Sequence, residues 1–173
     1  LGDFKQARLC LSNLIELNPQ DATAYSNLGG ILKELGELEE AVLILRKAIE
    51  LDPNNSVSHS NLGGILKELG KLEEAELIIR KAIELNPNNT EAHINLGGIL
   101  KQFGKVKEAV LSIDKAIELN PNISEPYCIL GTISEELGNW PDAINFYEKA
   151  INLNDKSDVA KSQLIKCKGN ICD

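Results

Sequence analysis

The chain has 173 residues and a net charge of -8, and 43% of its residues are hydrophobic although only 4% are aromatic. Phosphate binding needs clustered Lys and Arg, so this acidic balance argues against a nucleic-acid partner. No stretch approaches the roughly 18 apolar residues of a membrane span, and the first residues lack the basic-then-apolar pattern of a signal peptide. Because Leu, Ile and Ala carry most of the apolar content, we expect a soluble, all-α protein without a membrane partner.

A ten-residue stretch recurs along the chain and sets its organisation. Residues 27–36 return unchanged at 61–70 and, with small changes, at 95–104, each time after 34 residues. Periods between about 20 and 50 residues are typical of solenoids, in which each unit buries its apolar face by stacking on its neighbours. The sequence therefore predicts a repeat protein.

The predicted elements follow this period from one end of the chain to the other. Residues 1–21 are predicted to form the second helix of a half repeat, and complete repeats follow at 22–55, 56–89, 90–123 and 124–157. Residues 158–173 are predicted to form a capping helix with Val159, Leu164 and Ile165 on its apolar side. Because the chain begins without Met and partway through a repeat, we expect it to be a segment of a longer protein.

Two kinds of residue divide each repeat into two helices. A proline preceded by Asn or Asp ends the second helix, because a residue before proline avoids helical dihedral angles; these prolines are Pro19, Pro53, Pro87 and Pro121. Glycine falls midway, where it can adopt the left-handed conformation that ends a helix, at Gly36, Gly70, Gly104 and Gly138. In the first full repeat we expect helices at 23–35 and 38–51. The prediction is an all-α, right-handed α-solenoid of antiparallel helix-turn-helix repeats.

The apolar residues of the first full repeat mark the faces that we expect to be buried. Leu28, Gly29 and Leu32 share one arc of its first helix, and Ala41 and Ala48 share one arc of its second. Gly29 is expected to face these two alanines, so that the two helices approach closely.

These positions resemble the tetratricopeptide repeat (TPR) family, whose 34-residue unit has an aromatic residue, a Leu-Gly pair, two later alanines and a closing proline. The first full repeat matches the pattern at Tyr25, Leu28, Gly29, Ala41, Ala48 and Pro53. His59 and His93 replace the aromatic residue in the next two repeats, and Asp155 replaces the proline of the fourth. The resemblance implies a protein-binding solenoid whose first helices line a concave surface.

No group of residues in the sequence indicates catalysis, a metal site or a cofactor. His59 and His93 stand at the aromatic position, so we interpret them as packing residues; pH sensing is an alternative. The cysteines neither pair as CxxC nor follow the repeat, which favours a reduced, cytoplasmic compartment; they are Cys10, Cys128, Cys167 and Cys172. We therefore predict a protein that is not an enzyme.

Three Asn-X-Ser/Thr triplets fall at the junctions between repeats and would be glycosylation acceptors in a secreted protein. They begin at Asn54, Asn88 and Asn122. Because each junction needs a turn and each first helix needs a polar N-cap, we interpret them as turn and capping residues.

A second set of residues recurs on the opposite arc of the first helices and forms rows of Asn, Lys and Gly. We expect these rows, with the Ser and Glu beside them, to line a peptide-binding groove: Asn27, Asn61, Asn95, Lys33, Lys67, Lys101, Gly30, Gly64, Gly98, Ser26, Ser60, Glu34 and Glu68. The second glycine of each repeat lowers helix propensity by roughly 1 kcal/mol and has no expected packing partner. An Asn amide both donates and accepts hydrogen bonds, so it can hold a peptide backbone of any sequence. Recent duplication of neutral residues is the alternative explanation of the rows.

The asparagine row resembles the one in the TPR arm of O-linked N-acetylglucosamine transferases, which implies that it holds substrate peptides. The resemblance ends at the fourth repeat, where Ile129 takes the place of Asn. Chaperone-tail binding by a carboxylate clamp is disfavoured, because Ser26 and Gly30 stand where that clamp has Lys and Asn.

We predict a protein-interaction scaffold that binds an extended peptide or a partner helix in its concave groove. One alternative is the substrate-recognition arm of a larger enzyme, such as a glycosyltransferase. Another is a structural module that self-associates end to end through the apolar residues of the half repeat, Phe4, Leu9, Leu11 and Leu14. The predicted partner is a protein or peptide. The sequence is compatible with a monomer and with an end-to-end oligomer.

Overall fold

The structure is a computed structural model that describes the backbone of residues 2–172 and the side chains of residues 2–169. Ten α-helices and no β-strand are present in this described part of the chain. They are α1 (Gly2–Leu17), α2 (Ala22–Glu34), α3 (Leu38–Leu51), α4 (Ser56–Glu68), α5 (Leu72–Leu85), α6 (Thr90–Gln102), α7 (Val106–Leu119), α8 (Ser124–Glu136), α9 (Trp140–Leu153) and α10 (Asp158–Cys172).

The chain falls into two compact units, Leu1–Asn95 and Leu96–Asp173, whose boundary lies inside α6. In the first unit, α2 packs on α3 and α4 packs on α5, and α1 and α3 contact the hairpin that follows each of them. In the second unit, α8 packs on α9, and α10 covers α9. The predicted all-α solenoid of helical hairpins is thereby confirmed, while the handedness of the coil and the repeat boundaries stay predictions.

A glycine in the left-handed conformation ends the first helix of each full repeat. The φ angles are +78° at Gly36, +73° at Gly70, +70° at Gly104 and +74° at Gly138. In the first full repeat, the N–H of Glu37 donates to the carbonyl oxygen of Leu32 at 2.9 Å, which satisfies a carbonyl at the helix end. The predicted role of these glycines is confirmed.

The Asn and Asp residues at the repeat junctions hold turns and helix N-termini. The Oδ1 atom of Asn55 accepts hydrogen bonds from the N–H groups of Val57 and Ser58, at 3.0 and 3.1 Å, and so caps α4. In the turn before it, the N–H of Asn54 donates to Oδ1 of Asp52 at 3.0 Å. The same turn recurs at Asn88 and at Asn122. The interpretation as turn and capping residues is confirmed for the first two triplets, in which Asn55 and Asn89 cap the helix that follows. In the third triplet only the turn is present, because Ile123 leaves α8 without a side-chain cap.

The glycine of each Leu-Gly pair leaves space for a large side chain of the second helix. A Cβ atom on Gly29 would lie 2.4 Å from Cγ of Leu45, too close for any real contact. The equivalent pairs are Gly63 with Ile79, Gly97 with Ile113 and Gly131 with Tyr147. In the third repeat the carbonyl oxygen of Ala109, the equivalent of Ala41, also lies 3.3 Å from a Cβ atom on Gly97. The expectation that Gly29 faces Ala41 and Ala48 stays a prediction, and the large side chain is an additional neighbour. The glycine is needed because a branched or aromatic side chain fills the space above it.

The C-terminal helix α10 buries a different face from the predicted one. Ala160 and Cys167 are fully buried and Leu164 is partly buried against α9, whereas Val159 and Ile165 are 65% and 74% exposed. The buried residues recur at spacings of three and four, which places them on one side of the helix. We predicted that the larger apolar residues would be buried. Instead small Ala160 is buried, because it lets α10 pack closely on the core around Tyr147 and Ala150.

Glu135 joins three helices of the second unit. Its carboxylate accepts a hydrogen bond from the hydroxyl of Tyr147 on α9 at 3.0 Å, and it forms an ion pair with Lys166 on α10. The hydrogen bond from Lys166 lowers the pKa of Glu135 below its usual value, and burial together with Glu135 raises the pKa of Tyr147. The cap is thus held by charge as well as by apolar contacts.

Candidate functional site

The asparagine row lies on α2, α4 and the start of α6, within the first unit. Asn27 is exposed, Asn61 is half-buried and Asn95 is only 5% exposed. The three residues are therefore not equivalent, although the sequence repeats them at the same position.

Each of the last two asparagines lies over the second glycine of the preceding repeat. A Cβ atom on Gly64 would lie 3.2 Å from Nδ2 of Asn95, and one on Gly30 would lie 3.8 Å from Nδ2 of Asn61. The first distance is too short for an unstrained contact and the second is an ordinary one. The expectation that the second glycine has no packing partner is therefore wrong at Gly64, where the amide of the next repeat occupies the space beside the helix.

Lysines of the row form ion pairs with glutamates of the repeats that follow. In the first unit, Nζ of Lys33 lies 3.6 Å from Oε1 of Glu68 and 3.9 Å from Oε1 of Glu91. In the second unit, Nζ of Lys101 lies 2.8 Å from Oε1 of Glu136. Both lysine side chains are about three-quarters buried, at 25% and 23% exposure. Their charges are neutralised locally, so they give the row little preference for an acidic ligand.

Lys67 fixes the orientation of the Asn95 amide. Its ammonium group donates to Oδ1 of Asn95 at 2.6 Å. An ammonium can only donate, so the atom that it contacts must be the amide oxygen, and the NH₂ group must point the other way. That NH₂ group is buried and has no hydrogen-bond partner among the described residues. An unpaired buried donor is disfavoured by about 1–3 kcal/mol.

The remaining predicted residues separate into a buried pair and an exposed pair. Ser26 and Ser60 are 3% and 2% exposed, and their hydroxyl groups have no hydrogen-bond partner in the described part of the chain. Glu34 and Glu68 are exposed. Gly98, in the second unit with Lys101, is half-buried.

Sequence reasoning missed Glu136 as a member of the charged rows. It occupies the same position of its repeat as Glu34 and Glu68, whereas the third repeat has Gln102 there. The period alone could have identified it. The structure therefore brings together Lys with Glu and Gly with Asn.

The histidines at the aromatic position bind backbone carbonyls. Nε2 of His93 lies 2.9 Å from the carbonyl oxygen of Pro87, and the hydroxyl of Tyr127 donates to the carbonyl of Pro121, one repeat later, at 3.2 Å. His59 is 5% exposed, and its Nδ1 lies 2.9 Å from the carbonyl oxygen of Asn55. These contacts agree with the packing interpretation, because the His59 ring bonds the N-cap residue of its helix and the His93 ring bonds the turn before its helix. The pH-sensing alternative stays a prediction.

The described His, Cys, Asp and Glu side chains outside these rows do not gather into a metal site. The described residues contain no group of three His, Cys, Asp or Glu side chains that could hold a metal ion. Cys10, Cys128 and Cys167 are free thiols, and burial raises the pKa of Cys128; the side chain of Cys172 lies outside the described residues. Within residues 2–172, no helix has the length and apolar character that a membrane crossing requires.

Three sequence models described as tetratricopeptide repeat match the chain. The first covers residues 1–56, the second covers 44–76 and 113–145, and the third covers 66–127. Together they span the chain from residue 1 to residue 145 without a gap. The chain belongs to the tetratricopeptide repeat family. Membership of this family supports a role as a protein-interaction scaffold.

Solved TPR structures share this fold. A thermophilic TPR protein of Thermus thermophilus, TTC0263, superposes with a TM-score of 0.78 at 20% identity, over 96% of this chain and 91% of its own. MamA from Desulfovibrio magneticus RS-1 gives 0.74 at 20% identity, over 91% and 89%. PilF of Pseudomonas aeruginosa gives 0.76 at 26% identity, over 87% and 69%. No curated protein sequence matches the chain significantly.

Proposed function

We propose that this TPR chain is a non-catalytic scaffold that binds an extended peptide along α2, α4 and the start of α6. The observation that carries the proposal is the buried NH₂ group of Asn95, a donor without a partner among the described residues. Asn61 and Asn27 continue the same row on the preceding repeats. A peptide in extended conformation offers a carbonyl oxygen on each residue, which is the acceptor that such a row of amides requires.

The three asparagines take part in binding to different extents. Asn27 is exposed and Asn61 is half-buried, so both reach a ligand directly. Asn95 lies under Lys67, which is itself only half-buried. Movement of the Lys67 side chain frees Oδ1 of Asn95, and rotation of the amide then presents its NH₂ group to a peptide carbonyl.

Recognition of the backbone makes this groove tolerant of ligand sequence. Lys33 is paired with Glu68 and Glu91, so the surface beside the asparagines does not select for acidic peptides. Ordering a flexible peptide offsets much of the contact energy, and we expect dissociation constants of about 1 μM or weaker. A partner helix satisfies its own carbonyls and fits this row less well.

Two other functions, the recognition arm of a larger enzyme and end-to-end self-association, stay predictions. The first of them rests on the sequence alone, and so does the predicted cytoplasmic location. End-to-end self-association is compatible with α1, which has no buried residue and exposes Phe4, Leu9 and Leu14 at 37%, 62% and 43%.

Replacing the asparagine row tests the proposal. The probe is a fluorescent pool of unstructured peptides of about 12 residues, long enough when extended to cross three repeats. Changing Asn27, Asn61 and Asn95 together to Ala is expected to weaken binding by about 10-fold or more, since each lost hydrogen bond contributes about 0.5–1.5 kcal/mol.

The matched control replaces three exposed asparagines on second helices, Asn13, Asn145 and Asn152, with Ala. It is expected to bind the peptide pool as the unchanged protein does, and both variants are expected to keep their helical circular dichroism. Equal binding by the two triple variants would remove the asparagine row from the proposed function.

A further inference from the structure

The helix α1 is a second helix that does not pack on a first helix of its own repeat. In the first unit α3 packs on α2 and α5 packs on α4, each time on the first helix of the same repeat, whereas α1 packs on α2 of the repeat that follows. None of the described residues of α1 is buried. One side of α1 is therefore without the cover that α3 and α5 have.

Apolar residues of α1 lie on this uncovered side. Three positions of α3 are 0% exposed, at Ala41, Leu45 and Ala48. The 34-residue period places their equivalents on α1, where they are half-buried or exposed; they are Ala7, Leu11 and Leu14. Phe4, which is 37% exposed, continues the same arc toward the start of the helix. We call Phe4, Ala7, Leu11 and Leu14 the open face of α1.

The hairpin of the first full repeat shows what such a face accepts. Leu45 fills the space over Gly29, because a Cβ atom on that glycine would lie 2.4 Å from Cγ of Leu45. Leu11 is the equivalent of Leu45. A helix that packs on α1 as α2 packs on α3 must therefore have glycine opposite Leu11. On α2 that glycine follows Leu28, which is 5% exposed, so the open face fits a helix with a Leu-Gly pair on its apolar side.

A second copy of this chain does not offer such a helix in α1 or α10, the two helices outside its hairpins. The helix α10 stands where the first helix of a further repeat would be, and it has Ile165 at the position of Gly29. A side chain at that position would collide with Leu11. The helix α1 has glycine only at Gly2, before the open face begins. The open face is therefore matched better by a helix of another protein than by end-to-end stacking of copies.

We propose that the open face of α1 binds an amphipathic α-helix of a partner protein, with a Leu-Gly pair whose glycine lies on Leu11. The bound helix completes the half repeat in the same way that α2 completes the hairpin with α3. Apolar side chains supply the contact, so the partner is recognised by the apolar side of its helix. This surface lies on a second helix and is separate from the asparagine row, which lies on first helices.

A peptide that copies α2 tests the proposal. The probe is a fluorescein-labelled peptide of residues 21–37, which includes the N-cap Asp21 and the terminating Gly36, and fluorescence anisotropy measures its binding to the 173-residue chain. We expect a dissociation constant of about 100 μM, because an isolated helix of this length must be ordered on binding.

The matched control is the same peptide with Gly29→Leu. Leucine raises helix propensity, so the control peptide is at least as ready to form a helix as the probe. Its side chain meets Leu11, and we expect it to bind at least about 10-fold more weakly than the probe.

Two leucines of α1 provide matched variants of the chain. Leu14 belongs to the open face, whereas Leu9 is 62% exposed on the opposite side of the helix. Leu14→Asn should weaken binding of the probe by about 5-fold or more, and Leu9→Asn should leave it unchanged. Both changes replace exposed side chains, so the helical circular dichroism is expected to persist.

The proposal fails if the probe does not bind at about 1 mM chain, if both peptides bind equally or if both leucine variants bind equally. Changing Asn27, Asn61 and Asn95 together to Ala should leave binding of the probe unchanged, and a loss would assign it to the asparagine row instead. A dimer in sedimentation equilibrium that Leu14→Asn removes would assign the open face to a second copy and would also overturn the proposal.

Discussion

The side-chain NH₂ group of Asn95 lies against the backbone of Gly64, the second glycine of the preceding repeat. A Cβ atom on Gly64 would approach Nδ2 of Asn95 to 3.2 Å. The Gly63-Gly64 pair therefore serves two purposes. Gly63 makes room for Ile79 on the second helix of its own repeat, and Gly64 makes room for Asn95 of the next repeat.

Adjacent glycines of the first full repeat should respond to alanine in opposite directions. Gly29→Ala would place a methyl group 2.4 Å from Leu45, and we expect a loss of about 1–3 kcal/mol in the free energy of unfolding. Gly30→Ala meets only an ordinary contact with Asn61, so its higher helix propensity should stabilise the protein by up to about 1 kcal/mol. Urea unfolding measures both, and a stabilising Gly29→Ala would contradict the packing described for Leu45.

The contact between Gly64 and Asn95 should appear as an energetic coupling. Gly64→Ala gains the same helix propensity as Gly30→Ala but must displace the amide, so we expect it to stabilise the protein less. In an Asn95→Ala background the obstacle is gone, and Gly64→Ala should recover the full gain of up to about 1 kcal/mol. A double-mutant cycle by urea unfolding measures the coupling, and strictly additive effects would show that the two residues do not touch.

Two neighbouring asparagines at a repeat junction should differ in their contribution to stability. Asn55 caps α4 through hydrogen bonds to two backbone N–H groups, so Asn55→Ala should cost about 1 kcal/mol. Asn54 enters the turn through its backbone N–H, and Asn54→Ala should change stability by less than about 0.5 kcal/mol. Thermal unfolding compares them, and the capping role fails if both variants melt alike.

Acid should weaken the attachment of α10 through Glu135. Its pKa is lowered by the hydrogen bond from Lys166, so its stabilising effect is complete above the usual glutamate pKa, about 4.3, and is lost as pH falls through the lower folded value. Glu135→Gln should melt below the unchanged protein at pH 7, and the difference should shrink toward about pH 3. A difference that is constant with pH would contradict this role for the carboxylate.

The parts of the fold that local chain chemistry dictates were predictable from the sequence. Gly36 ends a helix because its own backbone must take a positive φ, and Asn55 caps one through atoms two and three residues away. Such signals lie within a few positions of the sequence, so the helix boundaries in the first full repeat agree with α2 and α3 to within one residue.

Contacts between repeats were not predictable in the same way. The sequence shows that Asn95 and Gly64 recur, but only the spacing of stacked helices brings one over the other. Burial differs along the asparagine row although the residue type does not, because each repeat has different neighbours on its two sides. On α10, weak apolar patterning concealed which side faces α9, and small Ala160 was buried in place of Val159.

The most direct test of peptide binding by the asparagine row is a titration followed by the side-chain NH₂ signals of asparagine in two-dimensional ¹⁵N–¹H NMR. Adding the unstructured peptide pool should shift the signals of Asn27, Asn61 and Asn95, assigned from their Ala variants, and should leave those of Asn13, Asn145 and Asn152 in place. The largest shift is expected at Asn95, whose NH₂ group has no partner among the described residues. Peptide binding without any shift of these three signals would contradict the proposed groove.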